Sequence, residues 1–297
     1  MPKVLEVILA GDDISSLCFT HQRRKLHDAL GAEAVTTLDL RSVPRKELNT
    51  RLIKASGQTW DFVLLRGAAR LSEVATLFKC RIILDVVADY LPPSPGEWLP
   101  LHQKVVAAVC YSPKAAEICR SAGMRKTMTV AGPGVPSLGL DAPQSPLTVG
   151  LLGSRASITE LSGRLMSHSA VVEAGLDLVT DVSVPRARNV RSAVEVIEEA
   201  ALVVFVDRSP EVGAPNLALS LAISEGRRVC ASPPACMSMF PGNARAELIE
   251  ATKYNMPSYL EAILRYVNAP RDLPSYTQLP DPDDVPNLLL RKVLRVS

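Results

Sequence analysis

Four histidines, an aromatic fraction of 4% and six cysteines without a single C-x-x-C pair leave this chain of 297 residues with few marks of a metal or redox protein. The cysteines (Cys18, Cys80, Cys110, Cys119, Cys230 and Cys236) sit mostly in apolar runs, where a reduced thiol behaves as a small hydrophobe. Neither H-E-x-x-H nor G-x-S-x-G occurs, so zinc-protease and serine-hydrolase chemistry have no support. The loop after the first apolar run, AGDDISS, contains only Gly11 and lacks the G-x-G-x-x-G fingerprint, which demotes an NAD enzyme. The longest wholly apolar stretches, Val105–Tyr111 and Ala200–Val206, are seven residues each, against the roughly 20 a spanning helix needs. With no basic-then-apolar leader, the expectation is a cytoplasmic protein without a transmembrane segment.

Charge of one sign is also missing. The formal net charge is +2, from 18 basic and 14 acidic residues in 1–145 and 15 and 17 in 146–297. A front half at +4 tolerates an anionic partner but is far from the dense basic stripe of a dedicated nucleic-acid binder.

What is present is alternation. Apolar, β-branched runs at Val4–Ala10, Ala34–Leu40, Asp61–Arg66, Arg81–Val87, Val105–Tyr111 and Thr127–Ala131 read as strands. Helical segments at Thr20–Leu30, Arg45–Ala55, Ala69–Phe78 and Pro113–Ala122 separate them, the last opened by the cap Ser112 and by Pro113 at the first helical position. The Pro/Gly-rich stretch Gly132–Pro146 is a linker. After it the pattern restarts: strand Leu147–Leu152, helix to about Ala174, strand Leu176–Val182, helix Val190–Ala201, strand Leu202–Asp207, helix Asn216–Gly226 and strand Arg228–Ala231. An amphipathic helix at Pro257–Val267 precedes a proline- and aspartate-rich stretch, and an apolar, basic helix at Pro286–Val296 has to bury its leucines, for which the first half is the expected place. Two similar α/β halves follow, 1–140 and 141–270, with a tail and a crossing helix, 271–297.

In such folds ligands bind outside the carboxyl ends of the strands, so the loops after strands carry the candidates. After the first strand, Gly11, Asp12, Asp13, Ser15 and Ser16 can meet a polar acceptor or form a solvated turn. His21, Arg23, Arg24, Lys25 and His27 open the first helix and either contact phosphate or form an exposed charged face. Asp85 and Asp89, in ILDVVADYLP, can act as a base, orient a hydroxyl or cap the next loop. The turn Gly153-Ser154-Arg155 leads into a helix whose N–H groups suit a diphosphate, with Arg155 to neutralise it.

The segment FVDRSPEVGAPNLALSLAISEGRRVCAS (205–232) places a strand, an acidic residue, a Gly-x-Pro and a Leu/Ala helix in the order that resembles the donor site of retaining GT-B glycosyltransferases. YSPKAAEICRSAGMRKTMTVAGPGVPS (111–137), LTVGLLGS and Arg81–Asp89 are similar to further segments of that group, and the likeness spans about two thirds of the chain. The resemblance implies two Rossmann-like domains facing a central cleft, 1–140 on the acceptor side and 141–270 binding the donor, and transfer of a sugar from a nucleotide-sugar donor, such as a UDP-sugar; nothing in the residues calls for a metal or other cofactor. It implies that Glu211 touches the donor sugar. Gly213, Ala214 and Pro215 would shape the sugar pocket, and Asn216, Leu217, Gly153, Ser154 and Arg155 would meet the diphosphate. Asp89 would be the acceptor-side carboxylate, with Gly11, Asp12, Asp13 and Arg23 beside it. The group's second glutamate, eight residues after the first, is here Leu219, next to Ser220. The acceptor stays open among a small molecule, a cell-envelope glycan and a hydroxylated DNA base of the kind modified by phage glycosyltransferases, and a GT-B-like binding protein without turnover is the alternative.

Overall fold

The computed structural model describes residues 1–9, 11, 13–67, 71–86, 104–111, 113–124, 126–130, 134–206, 217–231, 249–250, 255–268 and 281–295. They form two units. One takes Met1–Gly134 together with Asp281–Ser297, and the described residues from Val135 to Asn268 belong to the other.

The first unit alternates β1 (Val4–Ile8), α1 (Asp13–Leu30), β2 (Val35–Asp39), α2 (Arg45–Ser56), β3 (Phe62–Arg66), α3 (Leu71–Leu77), β4 (Arg81–Val86), β5 (Val105–Cys110), α4 (Pro113–Ser121) and β6 (Thr127–Thr129). Its sheet runs β2-β1-β3-β4-β5-β6, parallel at every pairing. The six strands are the six read from the apolar runs, because strands of a parallel sheet are covered on both faces and show as near-continuous Val/Ile/Leu. One face (Leu5, Val7, Val63, Leu65, Ile82, Leu84, Cys110) packs on Leu52 of α2, Val74 and Ala75 of α3, and Ala115 and Cys119 of α4. Glu6, Arg66 and Asp85 point to the opposite face by strand alternation.

Helix α1 begins seven residues ahead of the expected Thr20, at Asp13. Ile14, Cys18, Phe19, Gln22, Leu26 and Leu30 make a buried stripe that continues through what the polar loop reading had taken for a turn, and Asp13 suits the positive end of the helix dipole. The basic cluster His21–His27 therefore lies mid-helix, and most of it is neither exposed nor free. His21 Nε2 and Lys25 Nζ each lie 2.7 Å from a carboxylate oxygen of Asp283, and Arg23 turns inward. Asp283 directly precedes the C-terminal helix, so the C-terminal segment is fastened to the first unit as its apolar sequence required.

The second unit contains β7 (Thr148–Gly153), α5 (Arg155–Leu165), α6 (Ser169–Ala174), β8 (Asp177–Thr180), β9 (Arg188–Asn189), α7 (Ala193–Glu199), β10 (Leu202–Val206), α8 (Leu217–Ser224), β11 (Arg228–Ala231), β12 (Ile249–Glu250) and α9 (Met256–Asn268). Its parallel sheet runs β12-β11-β10-β7-β8-β9. The single helix expected up to Ala174 is two: α5 closes at Met166, whose N–H reaches Ser162 O, and α6 restarts after His168 and stops at Gly175 in the left-handed region. Strand β9 went unforeseen, being two exposed polar residues at a sheet edge. The terminal segment is α10 (Asp284–Leu288) followed by a π-helical turn, Leu289–Leu294, not one continuous helix, and Val285, Pro286, Leu289 and Leu294 are its buried residues. Among the described residues, no helix is long and apolar enough to cross a membrane.

Candidate functional site

Each sheet order contains one reversal. In the first unit the chain winds one way from β1 to β2 and the other way from β3 onward; in the second the reversal lies between β7 and β10. Loops at such a switch point diverge and leave a crevice at the carboxyl ends of the strands.

In the second unit the last residues of the two central strands, Gly153 and Val206, are register partners. Gly153 holds φ at +146°, and a Cβ there would stand 2.2 Å from the Val206 carbonyl oxygen, so only glycine lets the strands end this close together. Ser154 then caps α5: its Oγ accepts the Ser157 N–H at 3.2 Å and donates to Ser157 Oγ at 2.8 Å. The N–H groups of Arg155 and Ala156 are left without intrahelical partners, and residues 153–156 are all exposed. The result is a glycine turn that leads into open N–H groups at the positive end of an 11-residue helix, with the exposed Arg155 as its first residue. Across the switch point the chain re-enters the described residues at Leu217, the buried first residue of α8. Leu219 is fully buried, so the interior of α8 supplies no carboxylate there, and Ser220 Oγ is buried without a hydrogen-bond partner. Glu211, Gly213, Ala214, Pro215 and Asn216 lie outside the described residues, as do Asp12 and Asp89.

At the carboxyl edge of the first unit, Gly11 (φ +127°) turns the chain into α1, where a Cβ would meet Ser15 Cβ at 2.8 Å. Asp13 is exposed in the first helical turn. Arg23 is held from below: its Nε donates to Glu6 Oε2 at 2.7 Å.

Beneath these residues is a buried ionic network joining three strands, which no local sequence pattern brings together. Glu6 on β1, Arg66 at the end of β3 and Asp85 on β4 are each 1% exposed or less. Arg66 Nε donates to Glu6 Oε1 at 3.1 Å, and its Nη1 donates to Gln22 Oε1 at 2.5 Å and to Asp85 Oδ2. Its guanidinium carbon lies 4.9 Å from the centre of the Phe19 ring. Glu6 also accepts from Thr37 Oγ1 at 2.9 Å, so both its oxygens are engaged. Asp85 is less well served. Its Oδ1 and the buried Tyr111 hydroxyl meet no partner with hydrogen-bond geometry, although each is near enough to alter the other's ionisation. The signal for this network was available: Glu, Arg and Asp stand in VLEVI, FVLLR and RIILDV, strands with no exposed face to send a charge to.

Burial drives the two carboxyls apart. It pushes Asp85 above its ordinary 3.8, with Arg66 pulling the other way and losing. Burial opposes ionisation of Glu6 too, but the guanidiniums of Arg66 and Arg23 overcome it and hold the carboxyl below its ordinary 4.5. Glu6 therefore adds stability above its unfolded value near 4.5 that is lost as pH falls through the lower folded value. Asp85 acts in the opposite sense, its contribution being lost as pH rises from 3.8 through the higher folded value. Urea midpoints followed against pH are expected to show a shallower acid limb in Glu6→Gln than in wild type, and in Asp85→Asn the loss of a decline that wild type shows above its acid limb. Unchanged slopes in both variants would remove these groups from the titration.

Among the described residues, no group of three or more His, Cys, Asp or Glu could hold a metal ion.

Two doubly wound, parallel α/β units on one chain, with a C-terminal segment returned to the first, define the GT-B architecture. No protein-family model and no curated protein sequence matches the chain. Solved structures do match. A sucrose-phosphate synthase from Thermosynechococcus elongatus superposes with a TM-score of 0.57 at 12% identity over 90% of each chain. The lipopolysaccharide outer core galactosyltransferase WaaB, in its apo form, matches at 0.51 and 10% identity, covering 99% of this chain and 97% of its own. At these identities the likeness speaks for the fold.

Proposed function

We propose that this chain transfers a sugar from a nucleotide-sugar donor to an acceptor hydroxyl. The observation that carries the reading is the exposed turn Gly153-Ser154-Arg155 at the β7/β10 switch point, where a helix N-terminus with open N–H groups begins on an exposed arginine, a combination suited to a diphosphate. In this reading the departing diphosphate is stabilised by the Arg155 and Ala156 N–H groups and the Arg155 side chain, as charge develops on it. Glu211 engages the sugar hydroxyls, and Gly213, Ala214, Pro215, Asn216 and Leu217 line the donor. On the first unit, Asp89 is the carboxylate that receives the acceptor, with Gly11, Asp12 and Asp13 about it; Arg23 serves by holding Glu6 rather than as a free cation. A UDP-sugar is the first donor to try, with a small molecule, a glycan or a hydroxylated DNA base as acceptor, a retained anomeric configuration and a cytoplasmic setting.

One observation favours a second reading. Leu219, fully buried and apolar, stands where the resembling group carries its second glutamate, so a chain that binds the donor without turning it over is the alternative.

A thermal-shift panel of nucleotide sugars and free nucleotides separates the outcomes. A donor at a hundredfold excess over its Kd stabilises the folded chain by ~2.7 kcal/mol. Arg155→Ala, at an exposed position that folding does not need, is expected to weaken binding roughly 10- to 100-fold, as the loss of a charge-assisted hydrogen bond does. Glu211→Gln is expected to reduce the shift with the sugar nucleotide more than with the free nucleotide. No shift with any nucleotide would overturn both readings; a shift without product across acceptors would select the second.

A further inference from the structure

The cysteines show no pairing in their spacing, yet the fold brings two of them together. Cys110, the last residue of β5, and Cys119, the seventh residue of α4, have their sulfurs 3.8 Å apart, with the Cys110 S–H directed at Cys119. Both are fully buried in the core of the first unit, both are free thiols, and they sit where α4 packs against β5. Cys110 is followed directly by Tyr111, the unpartnered neighbour of Asp85. The Cys110 S–H and the nearby Arg120 guanidinium hold the Cys119 thiol below its ordinary range, which gives the pair one sulfur suited to attack.

We propose that Cys110 and Cys119 form a reversible disulfide, a redox-sensitive clamp that ties α4 to β5 at the carboxyl edge of the first sheet. The oxidant is a small diffusible peroxide. The Cys119 thiolate attacks one peroxide oxygen, the O–O bond breaks, and Cys119 sulfenic acid and hydroxide result, the hydroxide taking up the proton that Cys119 gave up and becoming water. The Cys110 sulfur then attacks the sulfenic sulfur, forming the S–S bond; the hydroxide that leaves takes the Cys110 proton and becomes water. Each sulfur has lost one electron and the peroxide is reduced to two waters. The sulfurs approach from 3.8 Å to about 2.05 Å, a closure that local adjustment of α4 against β5 supplies. This inference stands apart from the glycosyl-transfer reading and needs no ligand.

The test is peptide mapping of the full chain. The native protein is treated with hydrogen peroxide, quenched, unfolded in alkylating reagent and digested with trypsin, which cuts at Lys104, Lys114 and Arg120 and so puts the two cysteines on separate peptides. The expected product is one species joining those peptides, two hydrogens lighter than their sum, without alkyl adducts and restored by dithiothreitol. Cys18 and Cys230 should remain alkylatable. Cys119→Ala, which keeps a small apolar side chain in the core, should lose the joined species. The proposal fails if Cys110 and Cys119 are both still alkylated after a dose that oxidises the half-exposed Cys80, or if the joined species forms only in urea. The wild-type map decides the matter even where a variant does not fold.

Discussion

Arg66→Met is expected to destabilise the chain by ~3–5 kcal/mol, the cost of stranding buried charges without their partner. Arg66 is 0% exposed and is the cation for two carboxylates on neighbouring strands, Glu6 and Asp85. Its removal leaves Glu6 with Arg23 and Thr37, but leaves Asp85 with nothing that meets hydrogen-bond geometry. A loss of that size is a large part of the ~5–15 kcal/mol that holds an ordinary domain folded. The same physics predicts a rescue: Arg66→Met combined with Glu6→Leu and Asp85→Leu should recover most of the loss, because apolar replacement of a whole buried ionic group is often neutral. Urea denaturation measures both. A cost below about 1 kcal/mol for the single variant would mean that water reaches the network.

Gly153→Ala should be nearly as damaging, at ~3 kcal/mol or more, through a different cause. The new Cβ would meet backbone, the Val206 carbonyl at 2.2 Å, so no side-chain rotation relieves the clash, and φ of +146° is a conformation that alanine avoids. β7 and β10 must separate at their carboxyl ends, which is where the open N–H groups of α5 are presented. Gly163→Ala is the matched control: it lies within α5 with open space about its Cβ position, and should stabilise by roughly 0.5–1 kcal/mol. Comparable midpoints for the two variants would contradict the close approach of the strands.

Much of this architecture was legible in the sequence. Val4–Ile8, Phe62–Arg66 and Leu202–Val206 are buried on both faces and so announce themselves by near-continuous hydrophobicity, and Gly153 with Ser154 marks the turn before α5. The C-terminal helix could be assigned to the first unit in outline because its leucines needed cover, although the π-helical turn at Leu289–Leu294 follows from packing that no residue pattern encodes. The misses share one origin. The polarity of Asp13, Ser15 and Ser16 outweighed the buried stripe of Ile14, Cys18 and Phe19, so α1 was read as starting late. For the same reason Arg23 was counted with the exposed charges, when Glu6 lies below it. Local sequence says that a residue is charged; only the pairing of β1, β3 and β4 brings Glu6, Arg66 and Asp85 within reach of one another, across gaps of 60 and 19 residues. Long-range partners of that kind have no periodicity to reveal them.

The most direct measurement is amide mapping by NMR of the full chain, titrated with the nucleoside diphosphate of whichever sugar nucleotide gives the largest thermal shift. The expected result is saturable movement of the Gly153, Ser154, Arg155 and Ala156 amides, lost in Arg155→Ala. Saturable binding that leaves those four amides unmoved and shifts others would place the donor elsewhere and contradict the reading of the β7/β10 switch point as its site.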